Sequence, residues 1–323
     1  MGVLISTACG SSSSGGPDGP DGPGGPDAGP QVPPDSQGGE DAAPPVGPEI
    51  TFTCPGGTPI MAGANQIEVG GRNRTFYVDL PEDTSGPVGL VFSWHGYGDT
   101  APNFRTALAL DPDAVPGRPM VIVTPEDSGM NPPSGLDWDI AKGTVDHPNR
   151  DLAFFEAMVG CFNDQFTLDT TGIYSVGFSA GSVMTNLIHS RYPELVSTII
   201  SISGAWFNDQ AQIDLVNLFN IDWTWPQLDP ADGGTVLLTH GGPSDVTVLN
   251  ILDLEASAQA ALPFLAAANR LVVDCAHTAG HRLHPEVTPA LMMSFLAAHR
   301  TGAPSPYETS FDGFPTSCTL RGP

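Results

Sequence analysis

Ser179 sits in the segment Tyr174-Ser-Val-Gly-Phe-Ser-Ala-Gly-Ser-Val183, with Gly177 and Gly181 two residues to either side. A serine hydroxyl is a poor nucleophile until a base takes its proton, and that base works best when an acid orients it. The pattern G-x-S-x-G is short, and in a chain with 38 glycines it proves little by itself. Its setting says more. An apolar stretch over 172–177 predicts a buried strand before it, and Val183, Met184, Leu187 and Ile188 recur at helical spacing after it. A strand, a tight turn and a helix are the context of a nucleophile elbow, with small residues at 177 and 181 permitting the turn. Unpaired N–H groups at the start of that helix would then face developing negative charge.

A base and an acid must come from elsewhere, and in this arrangement they follow in the order Ser, Asp or Glu, His. The strand expected at 235–239 runs into His240-Gly-Gly-Pro-Ser-Asp-Val246, which places Asp245 just past the sheet. The strand at 271–273 leads into Asp274-Cys-Ala-His-Thr-Ala-Gly-His281. Gly280 favours a tight loop presenting His281 as the base, with His277 and His284 as competitors. Asp253 and Glu255 enter a helical stretch and read better as solvated carboxylates at a helix start. His277 and His281 also have a spacing that metal sites use. Gly280 and Pro285 argue against a helix there, and the glutamate of H-E-x-x-H is missing, so neither a metal nor a cofactor is expected.

The oxyanion of an acyl-transfer intermediate needs two donors. Ala180 N–H, directly after the nucleophile, is one candidate. Tyr97 N–H in Trp94-His-Gly-Tyr-Gly-Asp99 is the other, and His95 reads as a structural histidine of that loop. Trp138 and Trp206 are candidate substrate-binding rings, because flat aromatics at a pocket mouth can stack an acyl group or grip a polymer. Trp223 and Trp225 lie in an insertion at 206–234, where packing onto the body is the simpler reading.

Short buried strands are expected at 67–69, 75–78, 88–94, 120–124, 172–177, 197–203, 235–239 and 271–273. Helices are expected from Asn149, from Ala180 and over 287–299. Strands alternating with amphipathic helices specify an α/β fold, a mostly parallel sheet covered on both faces. The catalytic domain is read as 50–300, followed by an extended tail at 301–323 whose Cys318 could staple it down.

The region before residue 50 has a different character. Residues 1–9 carry a short apolar run ending at Cys9, like the remnant of a lipoprotein signal sequence. Residues 10–49 are mostly Gly, Pro, Ser and Asp, a composition expected to form a disordered tether. The chain has 323 residues, 40% of them hydrophobic, so it can bury a sizeable core. Its formal net charge of -25 repels phosphate backbones and anionic membranes, which excludes nucleic acid as a natural partner. Cys54, Cys161, Cys275 and Cys318 suggest two disulfides of an exported domain, with three connectivities open.

His95-Gly-Tyr-Gly98, Asp151, Gly177-Phe-Ser-Ala-Gly181, Tyr192-Pro-Glu194, Ser203-Gly204, His240-Gly241, Asp245-Val246 and Gly280-His281 together resemble the polyhydroxybutyrate depolymerase/feruloyl esterase group of α/β-hydrolases, including its secreted bacterial lipoprotein members. The resemblance spans roughly residues 52–300 and implies an α/β-hydrolase fold. It also implies cofactor-free serine hydrolysis of carboxylic esters, with Ser179, Asp245 and His281 as triad; the chain is expected to act as a monomer. Polyester, feruloylated or acetylated polysaccharide, and small esters are all open as substrates. The expected location is extracellular or at the cell envelope, with lipid anchoring at Cys9. Two features depart from the group's usual pattern: Arg282-Leu-His-Pro285 follows the base, and Ser182 follows the second glycine of the elbow. The rivals are a peptidase built on the same triad and a surface binding lipoprotein with a degenerate hydrolase body.

Overall fold

The structure is a computed structural model that describes residues 46–57, 59–129, 137–140, 149–206, 208, 210, 214, 228–247, 252–308 and 311–322. The signal remnant, Cys9, nearly all of the expected tether, Trp223 and Trp225 lie outside them. Among the described residues no helix is long and apolar enough to cross a membrane.

A hairpin opens the fold. Its strands β1 (Gly63–Val69) and β2 (Arg72–Asp79) pair antiparallel around Gly70-Gly71, whose φ values of 60° and 75° are those of a tight turn that matches strand twist. There follow β3 (Val88–Trp94), α1 (Ala101–Leu108), β4 (Met120–Pro125), α2 (Arg150–Gln165), β5 (Leu168–Phe178), α3 (Ala180–Arg191), β6 (Thr198–Ile202) and β7 (Thr235–His240). The short pair β8 (Val246–Thr247) and β9 (Leu252–Asp253) leads into α4 (Leu254–Ala267), β10 (Leu271–Ala276), α5 (Pro289–Ala297) and β11 (Cys318–Arg321). The nine-stranded sheet has the order β1-β2-β4-β3-β5-β6-β7-β10-β11. Its centre from β4 to β10 is parallel, and antiparallel partners close both edges.

Strands buried on both faces explain the nearly continuous apolar runs, since β3, β4, β6 and β7 are buried at every position. Side chains alternate across the sheet. Leu90, Phe92 and Trp94 join the layer containing α2, α3 and α4, while Val91 joins the layer containing α1 and α5. Local chemistry starts the helices: the Asn149 side chain accepts from Asp151 N–H and Leu152 N–H, and Thr288 caps α5 at Leu291 N–H.

The expected domain end at residue 300 is too early. Cys318–Arg321 is a strand of the same sheet, paired antiparallel with β10, so the stretch read as a tail closes the sheet's far edge. Of the three possible connectivities, the chain forms Cys54–Cys161 and Cys275–Cys318. The second bond pins β11 beside the strand that carries the His281 loop, closing a loop of 43 residues. A crosslink of that span stabilises mainly by restricting the unfolded chain, by about 4 kcal/mol. The double variant Cys275→Ser/Cys318→Ser should therefore lose about 3–4 kcal/mol in reversible denaturant unfolding, with β11 exchanging its amide hydrogens early.

Candidate active site

Ser179 lies in the turn between β5 and α3. It is a non-glycine residue with φ 56° and ψ -120°, outside the ordinary helical and strand regions. The strain is held by very close packing. A Cβ on Gly177 would lie 2.0 Å from the Gly181 carbonyl oxygen, and one on Gly181 would lie 2.0 Å from that of Trp94. Only glycine fits at either place. The Ser179 amide donates to Ile202 O of the next strand (2.9 Å), so the turn is also tied sideways into the sheet. Ser182, the departure noted in the sequence, is fully buried and shares a hydrogen bond with Ser201 (2.7 Å). Gly204 leaves room for it, since a Cβ there would lie 2.1 Å from Ser182 Oγ.

His281 and Asp245 meet Ser179 from the loops after β10 and β7. His281 Nε2 is 2.9 Å from Ser179 Oγ, and His281 Nδ1 is 2.8 Å from Asp245 Oδ1. The imidazole stacks on Phe178, with ring centroids 4.7 Å apart. The two loops are interlocked: Gly280 N–H donates to Gly241 O (3.1 Å), and a Cβ on Gly241 would sit 2.0 Å from Gly280 O. Asp245 has 0% exposure. Burial alone would push its pKa up, but hydrogen bonds from His281 and Gly241 N–H (2.8 Å), with the Ser203 hydroxyl beside it, hold the carboxyl below its ordinary value. It therefore stays an anion able to orient the ring.

The loop after β3 forms the opposite wall. A Cβ on Gly96 would come within 3.2 Å of Ser179 Cβ, so the Gly96-Tyr97 backbone passes alongside Ser179. Tyr97 and Ala180 both line a cavity of about 280 Å³ over Ser179, together with Val183, Ala205, Leu252 and Leu254. A larger hollow of about 430 Å³ lies at the opposite ends of the strands, against Arg118, Asp169 and Arg300, away from this chemistry.

Trp138 and Trp206 are not pocket rings. Trp138 is fully buried, edge-on to Trp94, and its indole N–H donates to His95 O (2.9 Å). Trp206 is 1% exposed and packs against His189 and Phe264. Large apolar rings gain more from burial beneath loops than from a mouth position, and sequence spacing does not distinguish the two. Trp138 instead supports the loop that carries Tyr97. His95 is the buried loop histidine expected, donating from Nδ1 to Gly96 O (2.9 Å).

The competing histidines have other tasks. The His277 ring accepts from Ala279 N–H (3.1 Å), and His284 Nδ1 accepts from Glu286 N–H (3.1 Å). Asp253 caps α4 through Ala256 N–H (2.8 Å), as read. Glu255 differs from its reading as a solvated carboxylate. It bonds His240 Nδ1 and accepts from Gly242 N–H (3.2 Å), while His240 Nε2 reaches Asp274 Oδ1 (2.9 Å) and Arg321 lies 3.3 Å from Asp274. This partly buried network joins β7, α4, β10 and β11 beside the loops that present Asp245 and His281. Glutamate 14 positions after Gly241 gave no sign of it in sequence, because the contact is made across the sheet edge.

The comparisons agree with this architecture. A protein named sOPH, in its native crystal structure, superposes with a TM-score of 0.62 at 20% identity, covering 84% of this chain and 97% of that one. A ferulic acid esterase superposes with a TM-score of 0.51 at 13% identity, covering 72% and 96%. The chain has the α/β-hydrolase fold. In sequence it is similar to feruloyl esterase D of Neurospora crassa, 26% identical over 143 residues, covering 42% of this chain and 47% of that protein. It is also similar to acetylxylan esterase A of Emericella nidulans, 26% identical over 151 residues, covering 45% and 48%. The chain spans about half the length of these relatives. No family model matches it.

Burial opposes charge on His240, but its bonds to Asp274 and Glu255 outweigh that and raise its pKa above the ordinary 6.5. The charged network thus contributes fully below about pH 6.5, and its contribution is lost as pH rises through the elevated folded value. His240→Gln should cost on the order of 2 kcal/mol near pH 6 and clearly less near pH 9, read from urea unfolding at the two pH values. An equal cost at both would contradict a charged His240.

Proposed function

We propose that this protein is an exported serine esterase that hydrolyses carboxylic esters through an acyl-enzyme. One observation carries the reading: the unbroken chain of hydrogen bonds from Ser179 Oγ to His281 Nε2 (2.9 Å) and from His281 Nδ1 to Asp245 (2.8 Å), at a strained elbow that opens on a cavity. His281 takes the Ser179 proton as Oγ attacks the ester carbonyl. Asp245 keeps the Nδ1 proton in place and stabilises the imidazolium that forms. The N–H groups of Ala180 and Tyr97 receive the charge on the tetrahedral oxygen. His281 then hands its proton to the leaving alcohol, and a water activated by the same ring releases the acid and restores Ser179. No step calls for a cofactor.

The wall formed by Val183, Ala205, Leu252 and Leu254 suits an apolar acyl group on a polyester such as polyhydroxybutyrate. The named activities of the relatives favour feruloylated or acetylated polysaccharide as the alternative. A non-catalytic surface binding protein would have no need to keep Ser179 in a strained conformation. Two disulfides fit an oxidising compartment, in keeping with an extracellular or envelope location and lipid anchoring at Cys9.

Ser179→Ala should lower turnover of a p-nitrophenyl ester by at least ~10⁴-fold with an unchanged circular dichroism spectrum and melting temperature. Undiminished turnover would refute the mechanism. Rates of the unmodified protein on polyhydroxybutyrate film, methyl ferulate and acetylated xylan then rank the substrate classes.

A further inference from the structure

Behind the oxyanion loop, the chain builds a pocket of donors that the ester chemistry does not use. His95 is fully buried, and its Nδ1–H donates to Gly96 O, which turns Nε2 toward the opposite side of the ring. Nε2 has no hydrogen-bond partner and faces Glu126 Oε1 at 3.6 Å. A ring nitrogen facing a carboxylate at this distance calls for positive charge between them, either a proton on Nε2 or a bound cation. The Asp127 carboxylate joins the same group, with one ligand atom from each of His95, Glu126 and Asp127 all within 4.8 Å of one another. Among the described residues no lysine or arginine pairs with either carboxylate. The remaining oxygens are held in place: Glu126 Oε2 accepts from Ala101 N–H (3.1 Å), and Asp127 Oδ1 accepts from Gly129 N–H.

We infer that His95, Glu126 and Asp127 form a binding site for one divalent transition-metal cation that braces the loop carrying Tyr97. One imidazole and two carboxylates suit Zn²⁺ or Mn²⁺, and an imidazole that donates its other N–H to a backbone carbonyl is the arrangement metal-bound histidines adopt. A bound ion would draw the three donor atoms inward, toward the ~3.3 Å spacing of ligands around tetrahedral zinc, and water would complete the shell. Its consequence is mechanical. The ion would join the end of β3 to the end of β4 and hold the Gly96-Tyr97 backbone against Ser179, without touching the reacting ester.

The test uses the full chain stripped with EDTA and titrated with ZnCl₂, and separately with MnCl₂, by calorimetry. The expected result is one equivalent bound, with a rise of several degrees in melting temperature at saturation. Glu126→Gln and Asp127→Asn should each weaken binding at least tenfold and remove the rise, while melting like the parent in EDTA. Asp127→Asn keeps the acceptor for Gly129 N–H, so it stays informative if Glu126→Gln fails to fold. Failure of both ions to bind at up to millimolar concentration, or unchanged affinity in Asp127→Asn, would overturn the site. His95 and Glu126 would then be a simple ion pair behind the loop.

Discussion

The turn at Ser179 is the constraint on which the rest of the site depends. A serine held at positive φ costs on the order of 1–3 kcal/mol, and it persists only where surrounding packing leaves no alternative. Here α3 is pressed so close to β3 and β5 that neither Gly177 nor Gly181 has space for a single added carbon. That closeness drives the hydroxyl outward from the sheet. It also places Ala180 N–H next to it and brings the Gly96-Tyr97 backbone alongside, so Ser179 and the candidate oxyanion donors are fixed by one packing arrangement.

The other half of the site hangs on the sheet's far edge. Asp245 and His281 sit on loops that would be free to move if they were tied only at their ends. They are instead interlocked through Gly241 and Gly280 and flanked by the His240 network. That network in turn reaches Arg321 on β11, which the Cys275–Cys318 bond holds in register. A strand distant from the chemistry thereby helps set the angle at which the imidazole meets Ser179.

Much of this was legible in the residues. The double-sided burial of β3, β4 and β6 is written in their apolar runs, the start of α2 in Asn149, and the elbow in two glycines flanking a serine between a strand and a helix. The order of Ser179, Asp245 and His281 along the chain follows from the C-terminal ends of the parallel strands β5, β7 and β10. What escaped depends on contacts distant in sequence. Trp138 and Trp206 have the composition of pocket rings, yet burial under the loops puts them in the core. Glu255 looks like any acidic helix start until His240 meets it across the edge. Residues 318–321 are too few and too polar to announce a strand, and become one only because β10 offers an open edge and Cys275 a partner. The short α1, capped by Thr100 with Pro102 in its first turn, lacked the length for a periodic signal.

Whether Ser179 is an activated nucleophile is decided by trapping it covalently. The protein is incubated with a p-nitrophenyl phosphonate ester and digested, and the modified peptide is sequenced by mass spectrometry. The expected result is one phosphonyl group per chain, on Ser179, with activity lost in proportion to labelling. Complete inactivation with the label on any other residue, or a fully active enzyme carrying a modified Ser179, would contradict it.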